Sequence, residues 1–331
     1  MASLKDVAKL AGVSLMTVSR AINTPAKLSP ETYDKVRQAI DALNYVPDLS
    51  ARRIRGDKAG PATLGVLALD TATTPFSVDI ILSIEKTARE RGWNSLVVNL
   101  FDDDSAGQTV DLLLAHRPAG VIFTTMGLRE VRIPPKLRDQ PLVLANCFTR
   151  EPAVASYVPD DEQGQCDAMR YLLARGYRRP LCIHLPESIP AAPLRRAGLE
   201  RAWRQAGLPR EQLLQYHLAL GDQHYLDVPS IIERHLHHGR PGFDVLVCGN
   251  DRVAFVAYQA LLARGLRIPQ DVAVLGYDNM VGIGELFLPA LSTVQLPHNE
   301  IGRQAALHLI DRREHLQRVN IGCPLLARAS L

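Results

Sequence analysis

Within its first 23 residues the chain sets Arg20 about one helical turn beyond the adjacent pair Leu15 and Met16. An arginine guanidinium can hydrogen-bond two acceptors of a guanine edge at once, while Leu15 and Met16 offer only apolar contact, such as to a thymine methyl. Ser14, Thr17, Ser19 and Asn23 surround them, and hydroxyl and amide groups of this kind ligate phosphates, fixing position without reading bases. Plainer roles stay open for each: Leu15 and Met16 as core, the polar four as helix caps or solvated residues.

The elements that must position these groups read as three short helices. Leu4, Val7, Ala8 and Ala11 recur at helical spacing, and Gly12 ends that helix because it adopts a left-handed conformation cheaply. Ser14 is placed to cap a second helix over 15–22, with Val18 and Ile22 inward. Ser29-Pro30 opens a third, a cap followed by proline at the first helical position, with Val36, Ala39, Ile40 and Leu43 inward. Two short helices joined by a glycine turn, with a third closing the core, make a helix-turn-helix, whose second helix enters the major groove.

Charge points the same way. Of 38 Lys/Arg and 35 Asp/Glu, residues 1–58 hold ten and six, a balance of +4, which leaves 28 against 29, or −1, for the other 273. The whole basic excess sits in the small N-terminal unit, as expected where one module faces a polyanion, with a merely basic solvated face as the lesser alternative on charge alone. Residues 48–58 contribute Arg52, Arg53 and Arg55, are too short for a stable isolated helix, and precede the chain-breaking Ala59-Gly60-Pro61.

From Thr63 the texture changes. Apolar runs at 63–69, 95–100, 120–125 and 141–146, then at 180–185, 245–250 and 272–279, alternate with helical stretches such as 78–91, 162–175, 194–206 and 251–264. Near-continuous apolar strands between helices imply parallel sheets covered on both faces. Seven to ten strands over this length suit two doubly wound lobes, with a ligand cleft at the strands' carboxyl ends.

Other chemistry is poorly supported. Asp102-Asp103-Asp104 reads as a solvated acidic loop, and His235, His237 and His238 with Glu233 sit in a polar stretch at a helix end, where histidine is favoured without a metal. Gly282-Ile283-Gly284 lacks the third glycine of a dinucleotide fingerprint, and neither a GxSxG elbow nor a Walker loop occurs. Cys147, Cys166, Cys182, Cys248 and Cys323 are odd in number and without CxxC spacing, the pattern of reduced buried thiols. No apolar run reaches the length of a membrane span and the N-terminus lacks a signal-like core. The expectation is a cytoplasmic protein that is no enzyme, with no cofactor and no metal.

Leu4-Lys5-Asp6-Val7-Ala8, Ala11-Gly12-Val13-Ser14, Thr17-Val18-Ser19-Arg20, Asn23 and Leu43-Asn44-Tyr45 before Pro47 resemble, in that order, the N-terminal signature of the lactose/galactose repressor family. The resemblance runs on through Arg195 and Gly198, Gly249-Asn250-Asp251, Leu275-Gly276-Tyr277-Asp278-Asn279 and Leu291-Ser292-Thr293-Val294. It implies an all-α helix-turn-helix headpiece (1–47), a hinge (48–58) and an α/β core (59–331) of two doubly wound parallel-sheet lobes, like those of periplasmic binding proteins. The first lobe is expected over about 62–159 plus 291–321, the second over about 160–290 plus 322–331.

The same resemblance implies roles. Paired hinge helices wedge open a minor groove, Ala51 against its floor and Ile54 between base steps, where some relatives carry leucine. Phe76, Ser77 and Asp79 from the first lobe, with Arg195, Asn250 and Asp278 from the second, are expected to hold an effector. Asn99, Asn146 and Gln223 are weaker candidates, and a cap on the following turn remains an alternative for Asp278. Residues 70–80 and 281–284 resemble in particular a member that governs sucrose utilisation, which implies a small sugar effector: fructose first, then glucose or sucrose. The segment 323–331 looks like a last strand without a further leucine-heptad helix, which predicts a homodimer on a pseudo-palindromic operator. A sugar-binding transport component of similar architecture is the competing class; it needs a signal peptide and no DNA module.

Overall fold

The computed structural model describes residues 2–46, 62–70, 75–101, 106–151, 154–221, 224–280 and 282–331, and the side chains of residues 23, 75–77 and 224 lie outside that description. The chain divides into two compact units, Met1–Ala62 and Thr63–Leu331.

The first unit contains α1 (Leu4–Ala11), α2 (Leu15–Asn23) and α3 (Pro30–Ala42). Each start is capped by serine, at Ser14 and Ser29 as the sequence predicts and at Ser3 in addition. Ser3 and Asp6 form a reciprocal capping box, Ser14 accepts from the Thr17 amide, and Ser29 accepts from the Thr32 amide ahead of Pro30. Gly12 ends α1 at φ +64°, the left-handed conformation for which glycine is suited. Val7, Val18 and Val36, one from each helix, are fully buried with Ala8, Ala21 and Ala39 around them. Burying each valine contributes about 1.5–3 kcal/mol. Ile22, Ile40 and Leu43, expected inward, pack at the margin of this core.

The second unit contains two six-stranded sheets. Its elements run β1 (Thr63–Leu69), α4 (Pro75–Glu90), β2 (Asn94–Leu100), α5 (Ala106–Ala115), β3 (Gly120–Glu130), β4 (Leu142–Phe148) and β5 (Ala155–Pro159). Then follow α6 (Asp161–Ala174), β6 (Pro180–His184), α7 (Ala191–Gln205), β7 (Leu214–His217), α8 (Asp227–Arg234), a ribbon of β8 (Leu236–His237) and β9 (Arg240–Pro241), β10 (Val245–Cys248), α9 (Asp251–Leu262) and β11 (Ala273–Asp278). The last are β12 (Ser292–Gln295), α10 (His298–Ile310), β13 (Arg318–Ile321) and β14 (Leu325–Leu326). The first sheet is ordered β13-β5-β4-β3-β1-β2, all parallel; the second is β14-β12-β11-β10-β6-β7, parallel except for β14.

Helices cover both faces of each sheet, the doubly wound arrangement that continuous apolar strands demand. Ile80 and Ile84 of α4 with Ile301 of α10 fill one face of the first sheet, and Val110 and Leu113 of α5 the other. In the second, Cys166 and Leu172 of α6 with Leu199 and Trp203 of α7 oppose Ile231 and Ile232 of α8 with Val253 and Leu261 of α9. All five cysteines are buried.

Two expectations are corrected. The first lobe was expected to resume at 291, yet β12 pairs with β11 and β14, so Ser292–Gln295 belongs to the second sheet and the return crossing follows Gln295. More strands form than the seven to ten expected, because β5, β7, β12 and β13 are only four or five residues long and β8, β9 and β14 only two, too short to show the apolar runs of central strands.

Candidate functional site

α2 turns Val18 and Ala21 into the headpiece core, and this orientation leaves Leu15 and Met16 outward, 44% and 63% exposed. Their core alternative is thereby removed. Arg20 is exposed beside them, and Ser19 is half-buried. Ser14 takes the capping role: its hydroxyl accepts from Thr17 N at 3.1 Å and shares a 2.9 Å hydrogen bond with Thr17 Oγ1. Asn23 is the last residue of α2, with its side chain outside the described residues, as are Ala51 and Ile54 altogether.

In the second unit a cavity of about 410 Å³ opens between the two sheets' carboxyl ends. Met126, Leu128, Arg129 and Asn146 supply the first-lobe wall; Arg195, Asn250 and Asp278 stand opposite, with Asp161 and His298 beside the crossings between lobes. Its volume suits a small molecule. Of the six effector residues expected, three meet here. Asp79 is half-buried in the second turn of α4 and is not among the described residues lining the cavity; the side chains of Phe76 and Ser77 and all of Gln223 lie outside the described residues.

Arg195 organises the second-lobe wall. It is 5% exposed, and its guanidinium lies over the Tyr277 ring with Cζ 3.6 Å from the centroid. Nε donates to Asp161 Oδ1 at 2.8 Å, Nη1 to the Gly249 carbonyl at 2.6 Å, and Nη2 to Asp278 Oδ1 at 3.3 Å. Burial pulls the guanidinium towards neutrality, but the Asp161 and Asp278 carboxylates outweigh it and hold the charge more firmly than usual.

The two carboxylates differ. Burial pushes the Asp278 carboxyl up to about 7, against the pull of Arg195. Asp278 makes this contact instead of capping the turn that follows. Asp161, missed from the sequence, begins α6 and is 1% exposed; its Oδ2 is buried with no hydrogen-bond partner. An unpaired buried carboxylate oxygen is costly, and a hydroxyl donor from a ligand relieves it. One guanidinium thus holds two carboxylates at the wall of a cavity, an arrangement suited to paired hydroxyls.

Asn250 serves structure first. Its Oδ1 caps α9 through Val253 N at 2.9 Å, and Nδ2 donates to Tyr225 Oη at 3.3 Å. Asn146 sits at φ +59° with Nδ2 donating to the Thr125 and Met126 carbonyls, both at 3.2 Å, while Asn99 is exposed on β2. Arg129, also missed, pairs with Asp70 at 3.0 Å. Burial, helped by the Arg195 charge, pushes His298 down to about 4, so a neutral imidazole faces the cavity at pH 7.

His235 donates to or accepts from Tyr216 Oη at 2.8 Å, and Glu233 pairs with Arg264. Among the described residues no His/Cys/Asp/Glu cluster could hold a metal, and no helix is long and apolar enough to cross a membrane. Asp102, Asp103 and Asp104 lie outside the described residues.

Comparison with known proteins bears on both units. Residues 3–48 match the family described as bacterial regulatory proteins, lacI family, and residues 62–329 the periplasmic binding proteins and sugar binding domain of the LacI family. The chain is 58% identical over 330 residues to the sucrose operon repressor of Escherichia coli, covering 100% of both chains. It is 31% identical over 321 residues to the ribose operon repressor of Escherichia coli (strain K12), covering 94% of this chain and 93% of that one. The crystal structure of the lac repressor dimer bound to operator and the anti-inducer ONPF superposes with a TM-score of 0.81 at 23% identity, over 99% of this chain and 98% of that one, a likeness of fold.

Proposed function

Because the chain belongs to the lacI family of bacterial regulatory proteins, as a DNA-binding repressor with a sugar-binding domain, we propose that it represses a sucrose-utilisation operon and leaves its operator when a small sugar fills the cleft. Fructose is the first effector in this reading, with glucose and sucrose behind it. The sucrose operon repressor, 58% identical along the full chain, supports the operon; the cleft supports the sugar.

The observation that carries the sugar reading is Arg195 held between two carboxylates at the cavity wall. Asp161 Oδ2 and the Asp278 carboxylate accept from sugar hydroxyls, Arg195 orients both, and Asn250 adds an amide edge. Phe76, Ser77 and Asp79 are proposed to close the cleft from the first lobe. On the DNA side, Arg20, Leu15 and Met16 read base edges, while Ser14, Thr17, Ser19 and Asn23 contact phosphates. Ala51 and Ile54 are proposed to engage the minor groove. The protein acts in the cytoplasm as a homodimer on a pseudo-palindromic operator, without catalysis or cofactor.

A sugar shifts such a protein only by binding one lobe arrangement better than the other. The favoured arrangement spreads the paired hinges, whose helices are marginal alone and melt without mutual support. A gel shift with DNA from upstream of the protein's own gene tests this. Retarded DNA, released by one of fructose, glucose or sucrose, is the expected result; sugar binding without any DNA retardation favours the transport class instead.

A further inference from the structure

The turn that carries Asp278 is held from three sides. Asp278 and Asn279 have φ of +111° and +51°, conformations that non-glycine residues keep only where neighbours impose them. Asp251 Oδ2 accepts from Met280 N at 2.7 Å, and Thr293 Oγ1, itself bonded to Asp251 Oδ1 at 2.7 Å, accepts from Asn279 N at 3.3 Å. The third anchor joins two side chains: Arg328 Nη2 donates to Asn279 Oδ1 at 2.9 Å, while Nη1 donates to the Leu291 carbonyl at 2.8 Å.

Arg328 is itself fixed. Its backbone amide donates to Ser292 Oγ at 2.8 Å. Two residues on, Ser330 is fully buried: its Oγ donates to the Val274 carbonyl at 2.6 Å and accepts from Ser292 N at 2.8 Å, and its carbonyl accepts from Val274 N at 2.9 Å. Segment 328–330 is therefore stitched between β11 and β12, with the guanidinium at the turn just beyond β11. Only 17% of the Arg328 side chain is exposed.

We infer that Arg328 is a positioning residue for the effector site: by clamping Asn279 it holds Asp278 where its carboxylate meets Arg195 and the sugar. The inference rests on the sugar-effector reading above. Arg328 touches no ligand; without it the strained turn relaxes towards ordinary φ and carries the carboxylate off its mark.

The test uses the full chain, with fructose, glucose and sucrose titrated by calorimetry and operator binding followed by anisotropy. Arg328→Ala and Asn279→Ala should each weaken sugar binding by about tenfold, the loss expected for a hydrogen bond to a charged group, with sugar-free operator affinity within about twofold of wild type. The double variant should bind sugar no more weakly than the worse single one, because both remove one clamp. Ser330→Ala should lower the melting temperature yet leave sugar affinity within about twofold, separating positioning from general support of the segment. Should Arg328→Ala fail to fold, Arg328→Lys, which can keep one of the two acceptors, should fall between wild type and Asn279→Ala. Unchanged sugar affinity in Asn279→Ala, additive losses in the double variant, or an equal sugar loss in Ser330→Ala overturns the inference while the effector reading stands. Wild-type protein that binds none of the three sugars, or an Asp278→Ala variant that binds them normally, overturns the reading and the inference together.

Discussion

Gly198 of α7 lies so close to Glu162 of α6 that a Cβ at Gly198 would collide with the Glu162 carbonyl oxygen. Arg195 precedes Gly198 by about one turn and Asp161 adjoins Glu162, so this approach of backbones is what brings Nε within 2.8 Å of the Asp161 carboxylate. Gly198→Ala must push the helices apart. The expected cost is about 1–3 kcal/mol of overpacking, seen as a lower urea midpoint, together with lost sugar binding. A variant as stable and as sugar-responsive as wild type would contradict this account of how Arg195 is placed.

On the proposed reading of the cleft, Asp278 should make sugar binding depend on pH. Its carboxyl titrates near 7 because it is buried, and hydroxyls that donate to it favour the charged form. Binding therefore releases a proton, and sugar affinity should rise as pH increases through about 7 and level off above it. Calorimetry at several pH values measures the trend; an affinity that falls across the same window would have the sign wrong.

His298 affects stability in the acid range. Its folded value near 4 lies below the ordinary value of 6.5, so between these the unfolded chain binds a proton that the folded one refuses. Stability from this residue is present above about 6.5 and lost as pH falls towards 4. His184 and His308 are shifted the same way by burial, whereas raised Asp278 acts oppositely between about 4 and 7. Comparing His298→Gln with wild type isolates one residue: the slope of unfolding free energy against pH between 4.5 and 6 should drop by about one proton. Identical slopes would place His298 in water.

Much of this was legible in the sequence because it is local. Ser14 and Ser29 begin helices, Gly12 ends one, and Val7, Val18 and Val36 each sit on the apolar face of their own helix, so the headpiece followed from neighbours along the chain. The Ser3 cap and the outward side of Leu15 and Met16 came from the fold. Arg195 and Asp278 were found through family resemblance. Asp161 and Arg129 were not found, since neither stands out from its neighbours: Asp161 matters only because Gly198 admits α7, and Arg129 only because β3 runs past its apolar run to Glu130. Arg328 is hidden for the same reason, reaching Asn279 across 49 residues of chain.

Arg20 carries the sharpest prediction on the DNA side. Arg20→Ala should weaken operator binding by about 1–3 kcal/mol and relax preference at one base pair per half-site, with a smaller loss on random DNA. Anisotropy with operator variants reads both effects. Equal losses on operator and random DNA would make Arg20 a phosphate contact.

The most direct measurement follows operator affinity for wild type and Asp278→Ala as fructose, glucose or sucrose is added. Coupling of about 1–3 kcal/mol between cleft and operator predicts that one of these sugars weakens wild-type binding by roughly 5–150-fold. Asp278→Ala should bind the operator as wild type does and hold it at every sugar concentration. A variant that lets go at the wild-type sugar concentration, or a wild type that no sugar releases, would contradict the account.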